Sequence, residues 1–144
     1  MKDDALLESD HVSRYCGGGT LSASGDVTGT SFLLSPNDEY LSVNWLEFLK
    51  LDSRRAEIEE VLRVLSTKLI LGATAKISAL NVGEVINHVI GGSPDNRTLR
   101  ILHRPDEPAD MPDPSHSGIF DTREDEQLIA ELIAEKVLET YPAR

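Results

Sequence analysis

From Arg54 to Leu71 the apolar residues Ile58, Val61, Leu62, Leu65 and Leu69 recur at the spacing of a single helix face. Segments with the two-residue alternation of strands lie on both sides of that run. This mixed order points to an α+β fold, and no internal repeat appears at solenoid periods. Gly72 stops the helix, and Asp52 or Ser53 caps its start.

The remaining segments fill in around it. His11–Cys16 is extended. Residues 29–34 and 39–43 read as two strands joined by the turn Ser35-Pro36-Asn37-Asp38, which makes a hairpin. Asn44-Trp45-Leu46-Glu47 matches a capping-box-like start, so a short helix is predicted over 45–50. Residues 75–80 alternate as a strand. Asn81-Val82-Gly83-Glu84 repeats the capped start, and Val82, Val85, Ile86 and Val89 line a helix that ends at Gly91-Gly92. Residues 98–103 read as a strand. Pro105, Pro108, Pro112 and Pro114 turn 104–120 into a long loop. Thr122 then opens a terminal helix through 122–140, with Glu124, Asp125 and Glu126 in its first turn. The expected architecture is α+β, a small antiparallel or mixed sheet packed against two long helices. Residues 1–9 form a loose leader from which Leu6-Leu7 can dock, and 10–144 form a single domain.

Composition narrows the function. The chain has 144 residues, 40% hydrophobic and 27% charged, with one cysteine. These are globular proportions, without an internal disulfide framework or a multi-cysteine zinc site. No apolar run approaches the roughly 20 residues of a membrane span. The start Met1-Lys2-Asp3-Asp4 lacks the basic and apolar regions of a secretory signal. A cytoplasmic location and no membrane partner are therefore expected. The net charge of −11 is uneven. Residues 1–49 set Lys2 and Arg14 against eight acids, residues 50–104 carry nine basic residues against six acids, and residues 105–144 carry three against eleven. Acidic ends repel a phosphate backbone, so nucleic acid is not an expected partner. A local pocket for one phosphate is compatible with that total.

No Walker loop, HExxH, GxSxG, EF-hand or CxxC is present. Gly17-Gly18-Gly19 reads as a flexible turn, because no Lys-Ser/Thr follows it. Two polar groups stand out. In His11-Val12-Ser13-Arg14-Tyr15-Cys16, alternation puts Arg14 on the face of Val12 and Cys16, where a guanidinium needs a partner. That partner is either an internal carboxylate such as Asp113 or a ligand phosphate or carboxylate. Cys16 is either a nucleophile with a lowered pKa, which would also allow a redox role, or a buried inert thiol; the lack of an adjacent base favours the thiol. The second group is Asp113-Pro114-Ser115-His116 with His103 on the preceding strand. It serves either as acid, base and orienter or as loop-fixing turns. His11, Arg14, Ser42, His103, Asp113 and His116 are the candidate site residues, expected to gather on one side of the sheet. The four histidines (His11, His88, His103 and His116) show no ligand-type spacing, so neither a metal nor a cofactor is expected.

His11-Val-Ser-Arg14, Gly29-Thr-Ser-Phe32, Leu41-Ser-Val-Asn-Trp45, His103 and Asp113-Pro-Ser-His116 together resemble a family of small uncharacterised bacterial proteins. Those proteins pair an early Arg with a Phe…Ser-Val segment and a later Asp-Pro-(Ser/Ala)-His loop. The resemblance covers roughly residues 10–120 and marks positions rather than an activity. A weaker similarity is to ADP-ribosyltransferase-like folds, including toxin-type members, onto whose scheme Arg14, Ser42 and Glu47 could be laid. The chain departs from that scheme by lacking a Glu in a strand-flanking loop, since Glu47 reads as a cap. The function expected first is a cytosolic accessory or interaction protein with a protein partner, of the kind found in bacterial defence or mobile-element systems. Its alternative is a small nucleotide- or phosphate-directed enzyme that uses Arg14, His103 and His116 on a phosphate-bearing ligand.

Overall fold

The computed structural model of the chain describes residues 3–105 and 112–144. Among these residues six strands form one antiparallel sheet: β1 (His11–Cys16), β2 (Leu41–Trp45), β3 (Lys76–Asn81), β4 (Arg100–His103), β5 (His116–Phe120) and β6 (Val137–Pro142). Their order across the sheet is β4-β5-β2-β1-β3-β6. Three α-helices, α1 (Arg54–Lys68), α2 (Val82–Gly92) and α3 (Gln127–Ala134), cover it. The α+β class holds, with a larger sheet than expected and a single long helix, the 15-residue α1.

Alternation along the strands divides the core between the two faces. On one face Val12, Val43, Leu80 and Ile119 pack with Val85 of α2 and Ile133 of α3, all nearly inaccessible to solvent. On the other, Leu46, Ile77 and Ala79 pack against Ile58 and Val61 of α1. Each such side chain contributes roughly 1.5–3 kcal/mol by leaving water. Two helix starts follow the sequence signals closely. Ser53 Oγ accepts the Ala56 N–H at 3.1 Å, and Asn81 Oδ1 accepts the Glu84 N–H at 2.9 Å.

Several expectations are corrected. Residues 29–34 are not a strand: Gly29–Phe32 is a 3₁₀ turn, so there is no hairpin with β2. The turn packs on α3 so closely that a Cβ at Gly29 would lie 2.8 Å from Glu131 Cγ, and it buries Phe32 completely. Asn44 does not cap a helix; it belongs to β2, and the only helical turn nearby is the 3₁₀ segment Glu47–Leu49. The predicted loop over 104–120 ends in strand β5, which is paired along β2 and β4; Pro108 falls outside the described residues. The predicted terminal helix over 122–140 is shorter at both ends. It begins at Gln127, so Thr122, Glu124, Asp125 and Glu126 precede it, with Asp125 at φ 59°. It stops at Ala134, where the chain continues as β6, paired with β3 from Val137 to Pro142.

The leader is also docked where it is described. Leu6 is buried and its N–H donates to Ile101 O at 3.0 Å, Ala5 bridges Leu102, and the His103 N–H donates to Asp4 O. This strap covers the outer edge of β4. Leu7, by contrast, is 67% exposed. On the opposite edge, β6 has no strand outside it among the described residues.

Candidate functional site

β1 pairs with β3 along all six of its residues, but with β2 only at Val12↔Trp45 and Ser13↔Asn44. Beyond Ser13 the two strands part, and Arg14 fills the opening. Its Nε–H donates to Ser31 O at 2.8 Å and its Nη1 donates to Ser42 O at 2.8 Å. Ser42 O belongs to β2 where β1 no longer pairs with it, and Ser31 O belongs to the 3₁₀ turn Gly29–Phe32, so Arg14 supplies a donor to both. The guanidinium carbon also lies 6.0 Å from the centre of the Phe32 ring. Burial lowers the Arg14 pKa, opposed by the fields of Cys16 and Asp38. Arg14 forms no ion pair with a carboxylate among the described residues, which corrects the expectation that Asp113 would satisfy it.

Above this opening, between α1 and β5, lies a cleft of about 410 Å³ lined by Arg14, Tyr15, Ser42, Asn44, Leu65, Lys68, Leu69 and His116. The sheet supplies its floor. Asn44 and His116 are directly opposed across β2 and β5, and Ser42 faces Gly118, so all project to the α1 face. Tyr40 packs so closely on Gly118 that a Cβ there would overlap its ring, which places it beside His116. Tyr15 Oη accepts the Gly72 N–H at 2.9 Å, which fixes the chain leaving α1.

His116 is held in one tautomer. Its Nδ1–H donates to Arg104 O at 2.7 Å, and a carbonyl only accepts, so Nδ1 carries the hydrogen and Nε2 carries the lone pair of the neutral ring. Tyr40 packs edge-on to the imidazole at 5.9 Å. Behind the cleft, Asp113 is fully buried. Its Oδ1 accepts from Asn44 Nδ2 at 2.9 Å and its Oδ2 from Lys68 Nζ at 2.6 Å. Asn44 Nδ2 donates to Ser115 Oγ as well. The Asp-Pro-Ser-His segment is thus anchored by its own Asp and Ser, and this presents His116.

Of the six sequence candidates, Ser42 and His116 project to the α1 face and line one cleft with Asp113 behind it. Arg14 borders the same cleft from the gap between β1 and β2, although its pairing with Ser78 projects its side chain to the Val12 and Phe32 face. The candidates therefore do not all gather on one side of the sheet. The other two are elsewhere. His103 pairs with Ser117, so it projects from the face opposite to His116. There its Nε2–H donates to Pro114 O at 2.7 Å, and its ring meets Trp45 at 5.2 Å and Phe48 at 5.0 Å. His11 lies at the far end of β1, where its Nδ1–H donates to Glu47 Oε2 at 2.6 Å and its backbone N–H to Glu47 Oε1 at 2.6 Å. Glu47 is therefore a partner of His11 rather than a helix cap. Cys16 is 1% exposed, with Sγ 3.4 Å from Arg14 O and 3.7 Å from Ser78 Oγ. No group of three or more His, Cys, Asp or Glu among the described residues is placed to hold a metal ion. No helix among them is long and apolar enough to cross a membrane.

No protein-family model, curated protein or solved structure matches the chain.

Lys68 escaped the sequence reading, which takes Asn44 for a helix cap. Lys68 sits in the last turn of a polar-faced helix and looks like a solvated lysine there. Asn44 matched a cap pattern, although the alternation Leu41, Val43, Trp45 was the signal for a strand that would turn Asn44 to the other face.

Proposed function

We propose that the cleft binds a small organic anion, bearing a phosphate or a carboxylate, with Arg14 as its charge anchor and His116 as the group that exchanges a proton with it. The observation that carries this reading is the state of Arg14. Two backbone carbonyls hold the guanidinium in the gap between β1 and β2 without an ion-pair partner among the described residues, and Arg14 is one of the residues bordering a cleft large enough for a ligand. An anion arriving there gains charge-assisted hydrogen bonds from a group already oriented. His116 adds a basic Nε2 on the same floor, suited to accept a proton from water or from a ligand hydroxyl. His103 has no part in this site.

Thermal shift and calorimetric titration with inorganic phosphate, phosphate monoesters and short carboxylates test the reading. Wild type gains thermal stability with at least one of them, following the concentration dependence of a single binding site. Arg14→Lys, which keeps the charge and loses the planar fork, loses that gain. If wild type responds to none of the panel, the reading is wrong.

An accessory or interaction role draws on a different observation, the uncovered β6 edge with Leu138 51% exposed, set against the strapped edge of β4. A protein partner would add a strand there. Leu138→Lys would then release a partner recovered by native pull-down with wild type, and a partner retained by the variant would place its contact elsewhere.

A further inference from the structure

We infer that the anion recognised at Arg14 is amphiphilic, with its charged head on the guanidinium and an apolar tail lying along Leu65 and Leu69 toward Ile70; this rests on the reading of the cleft given above. The wall opposite the polar floor is made by the end of α1. Leu65 and Leu69 line the cleft, and at Leu69 the chain leaves the helix in extended conformation, with φ −150° and ψ 163°. Leu69 is left 39% exposed, and the next residue, Ile70, is 91% exposed.

Segments that leave a helix into solvent are ordinarily polar or turn-forming. Here Ile70, nearly fully exposed, directly follows Leu69, which lines the cleft together with Arg14. An oxyanion alone would occupy a small part of about 410 Å³ and leave Leu65 and Leu69 wet. A head with a tail of a few carbons satisfies both walls. The charge balance of the chain, −11, selects a free molecule over an anionic bilayer surface, which would repel the protein as a whole while the local field of Arg14 still draws in a single small anion.

The test is calorimetric titration of the full chain with inorganic phosphate and with butyl, hexyl and octyl phosphate below their micellar concentrations. Octyl β-glucoside serves as a neutral amphiphile and phosphatidylglycerol vesicles as a membrane surface. Affinity is expected to rise by up to roughly fourfold per methylene while the tail is in contact with the leucines. In Leu69→Ser, octyl phosphate binds no tighter than butyl phosphate, and in Arg14→Lys none of the phosphates binds. Equal affinity for inorganic phosphate and octyl phosphate overturns the amphiphile inference and leaves the anion site standing. Absence of binding by every phosphate overturns the anion site itself. Octyl β-glucoside binding as tightly as octyl phosphate removes the role of the charged head. Vesicle binding without octyl phosphate binding overturns the choice of a free molecule.

Discussion

Lys68 Nζ lies 2.6 Å from Asp113 Oδ2, joining the last turn of α1 to the segment that leads into β5 across 45 residues of sequence. The carboxylate is 1% exposed and the lysine side chain 19%. This contact and the Asn44 bond hold the His116 segment against the cleft floor.

Removing one member of such a pair strands a buried charge. Lys68→Ala should destabilise the fold by roughly 3 kcal/mol in urea denaturation. The double variant Lys68→Met/Asp113→Asn should recover part of that loss, because it leaves no ion to desolvate. A cost below about 1 kcal/mol for Lys68→Ala would show that Asp113 does not depend on it.

Arg14 has a structural role apart from any ligand. Both Arg14→Ala and Arg14→Lys leave the Ser31 and Ser42 carbonyls short of a donor, and each should cost roughly 2 kcal/mol in the absence of ligand. Thermal melting of the unliganded variants reads this directly. Unchanged melting in both would mean that water replaces the guanidinium freely in the opening between β1 and β2.

Cys16 is packed between β1 and β3, with its sulfur beside Arg14 O and Ser78 Oγ. Cys16→Ser should keep ligand binding and lose roughly 1–3 kcal/mol, the cost of placing a hydroxyl in its buried site. A folded Cys16→Ser protein without binding would reassign the thiol to the site.

Glu57 provides a pH signature. Burial pushes its carboxyl above the ordinary carboxylate range, against the opposing pull of Arg54 2.7 Å away. A raised folded-state value favours the protonated form in the fold. Its contribution is therefore fully present below the unfolded value of about 4.3 and is lost as pH rises through the folded value. Glu57→Gln should melt above wild type at pH 7, and the difference should vanish as pH falls toward 4. A variant that melts below wild type at pH 7 would show that the Arg54 bond outweighs burial.

The parts of the fold legible in the sequence are those decided locally. α1 and α2 announce themselves through a 3.6-residue period and the caps Ser53 and Asn81, all within one or two turns of chain. The end of the chain is different. Leu128, Ile129, Leu132, Ile133, Val137 and Leu138 keep helical spacing, yet the same Val137-Leu-Glu-Thr-Tyr alternates as a strand, and pairing with β3 some 60 residues away settles it. The site divides in the same way. Arg14 was visible as a charge on an apolar face and His116 as part of a polar, proline-rich segment. His103 could not be separated from His116, because the register of β4 on β5 decides which face each one takes. The partnership of Lys68 with Asp113 depends on where α1 crosses the sheet, which no local pattern records.

The strap of residues 3–6 along β4 gives the sheet a polarity. Among the described residues one margin is already occupied by the chain's own backbone, while β6 has no strand outside it. A strand added to this sheet would therefore meet open backbone on the β6 side and the chain's own N-terminal segment on the β4 side, which makes the sheet one-sided toward any β-type contact.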